Sequence, residues 1–181
     1  GWRGRQLGGE HPLALELAGG YIRWTGISLS RYLEAYKKRV GEVSGRTPPG
    51  CPEALATVFD ISIEQVRAVS QEGVDILNLT AFLAPEDLPI DLLEKTAALL
   101  PESAELGIAA LERRGLVRRS EDLLSVHPLV QALAYSRLGD DERKTWAEET
   151  VRAIGAAFGS YLEDLSTWPE CARLLPSALA A

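Results

Sequence analysis

The two histidines of this chain occupy matching settings, His11-Pro12-Leu13 and His127-Pro128-Leu129. Proline suits the first position of a helix, so each histidine is expected just outside a helix start. Free N–H groups and the macrodipole favour anions there, and an imidazole beside them can donate to a phosphate oxygen. Taken alone, the placement reads more simply as a helix cap or a packing residue.

Other chemistry has little to build on. A phosphate-cradling loop needs GxxxxGK[ST] or GxGxxG between a strand and a helix. Gly1 to Gly9 is glycine-rich, but no strand precedes it and no Lys-Ser or Lys-Thr follows. Cys51 and Cys171 stand far apart, outside any CxxC or Cys/His cluster, which gives neither a zinc site nor a disulfide framework and implies a reducing compartment. Glu86-Asp87 and Glu121-Asp122 sit beside turns, where acids cap or are solvated, and no partner group accompanies them. No nucleophile elbow is present. The chain is therefore not read as an enzyme, and no catalytic or metal-ligating residue is assigned.

The chain's 181 residues, 46% hydrophobic and 25% charged, suit one or two small globular domains. A net charge of −7 argues against a non-specific polyanion binder. No apolar run approaches the ~18 residues of a membrane span, and no charged-then-apolar leader opens the chain. A cytoplasmic protein without a membrane partner is expected. Methionine is absent even at position 1 and the sequence opens in mid-pattern, so a fragment of a longer protein is expected.

Charge and proline divide the chain at Thr47-Pro48-Pro49-Gly50-Cys51-Pro52 and near Gly139-Asp140-Asp141. The segments on either side carry net charges of +4 (1–47), −7 (53–139) and −4 (140–181). In residues 1–52, Leu13, Leu15, Leu17, Ala18, Tyr21 and Ile22 predict one helix. Tyr32, Leu33, Tyr36 and Val40 predict a second from Ser28, with missing bundle partners expected upstream.

In residues 53–139, the spacing predicts a buried helix over 74–84, ended by Pro85, then helices from Ile90 and from Pro101, the second carrying Leu106, Ile108, Ala109 and Leu111 and closed by Gly115. Leu116 to Arg119 and Leu123 to Val126 predict a hairpin, and Pro128 starts a helix to about Leu138. Three helices and a two-stranded wing make a winged helix. Residues 140–181 predict a helix to Phe158, with Trp146, Val151 and Ile154 inward and a Glu148–Arg152 pair, then a second from Trp168. The fold class is thus mainly α: a partial helical subdomain, a winged helix with a small β-hairpin, and a helical connector.

A winged helix raises DNA binding through the helix before the wing. Here that helix carries three acidic residues and two arginines, both at its C-terminal end. Glu121 and Asp122 oppose Arg118 and Arg119 at the wing tip, so nucleic acid is disfavoured.

Leu7-Gly8-Gly9-Glu10-His11-Pro12-Leu13, a helix pair, Ala84-Pro85-Glu86-Asp87, Leu111-Glu112-Arg113-Arg114-Gly115-Leu116-Val117 and Val126-His127-Pro128-Leu129 occur in an order that resembles the C-terminal half of the NB-ARC module of STAND-class signalling NTPases. The resemblance covers about residues 5–138. It implies a helical ARC subdomain, opened by a Gly-x-Pro motif whose proline, here Pro12, lies against the base and sugar of a nucleotide. Glu10 stands where the strict glycine falls, and Gly9 lies one residue earlier. It also implies that His127, matching the histidine of the Met-His-Asp motif, reaches the β-phosphate of ADP, with Val126 and Pro128 in place of the methionine and aspartate.

The cofactor-binding residues expected on this basis are Gly9, His11, Pro12, Leu13 and His127. The cofactor is ADP or ATP, with magnesium in the parent, held mainly by a P-loop domain absent from this chain. The expected function is control of a nucleotide-dependent switch, with any slow ATPase activity belonging to the parent. Residues 140–181 look like a lead into tetratricopeptide repeats. Expected partners are the upstream P-loop domain, the downstream repeats and further copies in an active homo-oligomer. A DNA-binding regulator and a nucleotide-free scaffold remain the alternatives.

Overall fold

The computed structural model describes residues 12–43, 47–96 and 101–161. The expected second helix of the connector, from Trp168, lies outside them. Their architecture is mainly helical with one small antiparallel sheet.

Helix α1 spans Pro12–Thr25 and α2 spans Leu29–Val43. Both pack on α3, Glu53–Arg67, so the helix pair finds a partner downstream of it. The sequence reading did not identify α3 as a helix. Ala54 to Phe59 are all buried, so no polar face marks the helical period in its first turns. The turn from α2 into α3 has Pro49 and then Gly50 at φ +79, closed by the Cys51 N–H to the Pro48 carbonyl at 3.0 Å. Proline followed by a left-handed glycine is the type II turn signature.

Helix α4 covers Gln71–Thr80, starting earlier and ending earlier than the apolar run suggests. Ser70 fixes its start: the hydroxyl accepts from the Gly73 N–H at 3.1 Å and donates to Glu72 at 2.8 Å. Residues 81–84 complete the apolar run as a turn. The Gln131 side-chain amide donates to the Thr80 and Leu83 carbonyls at 2.6 and 3.1 Å, satisfying groups that a longer helix would have used itself.

Strand β1, Leu88–Pro89, leads into α5, Ile90–Thr96, and α6 follows over Pro101–Glu112. Gly115, at φ +69, carries the chain out of α6, with the Leu116 N–H bonded back to the Leu111 carbonyl at 3.1 Å. Strands β2, Val117–Ser120, and β3, Leu123–Val126, form the expected hairpin. The sheet order is β1-β3-β2, all antiparallel, so β1 adds a third strand the sequence reading lacked. Two residues with a proline give too short an alternation to be seen. The order α4-β1-α5-α6-β2-β3 is that of a winged helix.

Helix α7 covers Pro128–Arg137 and α8 covers Asp140–Tyr161. One buried cluster runs from Leu13 and Leu17 in α1 through Leu55, Phe59 and Leu111 to Ile154 in α8. Asp60 and Arg137 tie α3 to α7 by two bonds, Nε to Oδ1 at 2.8 Å and Nη2 to Oδ2 at 3.0 Å.

Several apolar side chains that mark the expected helices point to solvent. Leu15, Leu33, Leu106 and Val151 are exposed. In each helix the neighbours at true three- or four-residue spacing take the core: Leu13, Ala14 and Leu17, then Ala104, Ile108 and Leu111, then Thr150 and Ile154. Arg152 pairs with Glu149 at 2.6 Å, while Glu148 stands 3.9 Å from Lys144. The expected Glu148–Arg152 pair is not formed.

Candidate functional site

The N-terminus of α1, the turn after α6, the sheet and the start of α7 enclose a cleft of about 380 Å³. Leu13 and Glu16 face it from α1, Glu112 and Gly115 from the end of α6, and Glu86 from the turn before β1. Arg118, Ser125 and His127 complete it.

Local rules place these groups. Val117 and Val126 pair across β2 and β3 and are buried, so the next pair, Arg118 and Ser125, stands on the opposite face of the sheet. His127 follows β3 and caps α7, and its Nδ1 accepts from the Leu129 N–H at 3.1 Å. In the neutral ring that assignment leaves the proton on Nε2, as a donor. Pro128 occupies the first position of α7, where no N–H is needed.

Of the residues singled out in the sequence, Leu13 and His127 line the same cleft although more than a hundred residues separate them. Pro12 is exposed as the first residue of α1. Gly9 and His11 lie outside the described residues. Sequence reasoning missed Glu16, Glu86, Glu112, Arg118 and Ser125 as cleft residues. The strand alternation in β2 could have placed Arg118 on the solvent face, but only the paired register puts Ser125 beside it.

The arginines around the wing divide sharply. Arg114 is buried, giving Nη1 to the Ala110 carbonyl at 2.9 Å and Nη2 to the Gln65 carbonyl at 3.2 Å. Burial lowers its affinity for the proton, with the Arg113 charge acting the same way. Arg119 binds the Glu105 carboxylate of α6 and gives Nε to the Glu121 carbonyl at 3.0 Å. Its hydrogen bond to Glu105 pushes Arg119 further toward the charged form. Among the described residues no group of three His, Cys, Asp or Glu is placed to hold a metal ion, and no helix is long and apolar enough to cross a membrane.

Comparisons with protein-family models, curated proteins and solved structures give no match.

Proposed function

We propose that this chain is the regulatory part of a nucleotide-dependent signalling switch of the NB-ARC type, completing the site of an ADP or ATP held mainly by a P-loop domain. The observation that carries the reading is the convergence of Leu13 and His127 on one cleft. Its volume of about 380 Å³ lies within the roughly 300–1,000 Å³ of small-molecule sites.

In this reading Leu13 offers an apolar contact toward the nucleoside, and the Nε2–H of His127 donates to a phosphate oxygen. A ligand touching both α1 and the start of α7 stabilises the arrangement that holds them together, and its exchange releases that arrangement. No residue of the chain carries hydrolysis. The downstream repeats and a homo-oligomeric active state belong to the same proposal.

The DNA-binding alternative has the order of elements in its favour. Against it, α6 exposes Glu102, Glu105 and Glu112, and Arg119 is engaged by Glu105. Phosphate neutralisation, which dominates such binding, has few cations to work with.

Nucleotide content tests the reading. Protein purified together with its P-loop domain should release ADP on denaturation, and chromatography of the supernatant would detect it. A nucleotide-free preparation that also fails to take up added ADP would overturn the proposal.

A further inference from the structure

We propose that Arg118 is the anion-binding side chain of the cleft and that, with the Ser125 hydroxyl and the Nε2–H of His127, it holds a phosphate or phosphoanhydride group. This rests on the nucleotide reading above and names the group that carries the ligand's charge.

Two observations lead there. Arg118 lies on the cleft, exposed, and its side chain makes no hydrogen bond or ion pair among the described residues, whereas Arg114 and Arg119 are both engaged. Ser125 is its direct partner across the hairpin, and His127 follows two residues later, so backbone alternation keeps the three donors on one side of the sheet. The remaining charges of the cleft work against an anion and set how far it depends on Arg118. Glu16, Glu86 and Glu112 line the same cleft, and Arg118 is the one lysine or arginine among its described lining residues. Without Arg118, every formally charged side chain among the described lining residues is a carboxylate. An anion can then dwell there only against three like charges, so its binding depends on this guanidinium more steeply than a single hydrogen bond would suggest.

The probe is inorganic pyrophosphate, added at low ionic strength to the full chain labelled with nitrogen-15. Saturable shifts are expected at Arg118, Ser125, His127 and Leu129. Arg118→Gln should weaken the binding at least about tenfold, the scale of a lost charge-assisted hydrogen bond. Arg119→Gln removes the same charge from the neighbouring position, and it should leave the affinity within about twofold because that arginine is spent on Glu105. Failure of wild type to bind, persistence of binding in Arg118→Gln, or an equal loss in Arg119→Gln would each overturn the proposal.

The two readings fail separately. Pyrophosphate binding through Arg118 in a protein that, together with its P-loop domain, neither carries nor takes up ADP would sink the nucleotide reading and leave the anion site standing. ADP retention unaffected by Arg118→Gln would do the reverse.

Discussion

Gly73 and Gly107 meet backbone to backbone where α4 crosses α6. A Cβ on Gly107 would stand 2.7 Å from the Gly73 nitrogen and 2.9 Å from its Cα, and one on Gly73 would stand 3.0 Å from the Gly107 carbonyl oxygen. These neighbours are main chain and cannot swing aside. Gly107→Ala gains about 1 kcal/mol of helix propensity but forces the helices apart at a cost of about 2–3 kcal/mol. A net loss of about 1–2 kcal/mol is expected in urea unfolding. A stabilised variant would show that the crossing relaxes freely.

His127 has a structural task and a proposed chemical one, and two substitutions separate them. His127→Ala removes the acceptor for the Leu129 N–H and should cost about 1 kcal/mol, as lost caps do. His127→Asn restores a good capping side chain without the Nε2 donor. It should keep wild-type stability to within about 0.5 kcal/mol while weakening pyrophosphate binding. Wild-type pyrophosphate affinity in the asparagine variant would remove the imidazole from the site.

The Asp60–Arg137 pair is the two-bond ionic link between α3 and α7 and is only partly exposed. Asp60→Ala leaves the guanidinium half-buried beside the Cys51 thiol, whose proton affinity burial raises and Arg137 lowers. A loss of about 2 kcal/mol is expected by thermal or urea unfolding, between the values for exposed and fully buried pairs. A loss below about 0.5 kcal/mol would mean that solvent screens the pair as it does surface pairs.

Tyr32 is buried, and its hydroxyl finds no partner among the described residues. The Tyr21 and Tyr36 rings flank it at 5.4 and 6.5 Å. Burial first, then the Tyr36 and Tyr21 charges, push its pKa up to about 12. The unfolded chain loses this proton near pH ~10 while the folded chain keeps it. The associated stability is therefore complete below about pH 10 and drains away between about pH 10 and 12. Tyr32→Phe should match or exceed wild type by up to about 1 kcal/mol near neutrality and unfold less readily at about pH 11. Equal alkaline slopes for both proteins would refute the assignment.

Legibility in the sequence followed local signals. The helix after Pro128, the stop at Gly115 and the hairpin around Glu121 were readable because proline, glycine and alternating β-branched or aliphatic residues act on their own neighbourhoods. Glu121 even takes φ +54, a conformation the turn imposes against its own preference. Helix α3 was hidden because burial of every residue from Ala54 to Phe59 erases periodicity in its first turns, and β1 because two residues carry none. The cleft was half legible. His127 and Leu13 were found by motif, but their meeting, and the arrival of Arg118 and Ser125 beside them, depend on pairing register and helix packing, which no local pattern encodes.

Between Val126, the last residue of β3, and Pro128, the first of α7, there is only His127. The Val126 N–H is held by the Pro85 carbonyl at 2.7 Å, and the His127 carbonyl receives the Val130 and Gln131 N–H groups at 2.8 and 3.1 Å. Pro128 keeps the histidine extended, at ψ 135. The backbone on both sides of the histidine is thus fixed, while its exposed ring rests, among the described residues, on the one bond to Leu129. Whatever presses on that backbone loads the central strand and a helix together, and Gln131, one turn along, passes that load to the far end of α4. One residue therefore joins the central strand to α7, and Gln131 joins α7 to the end of α4.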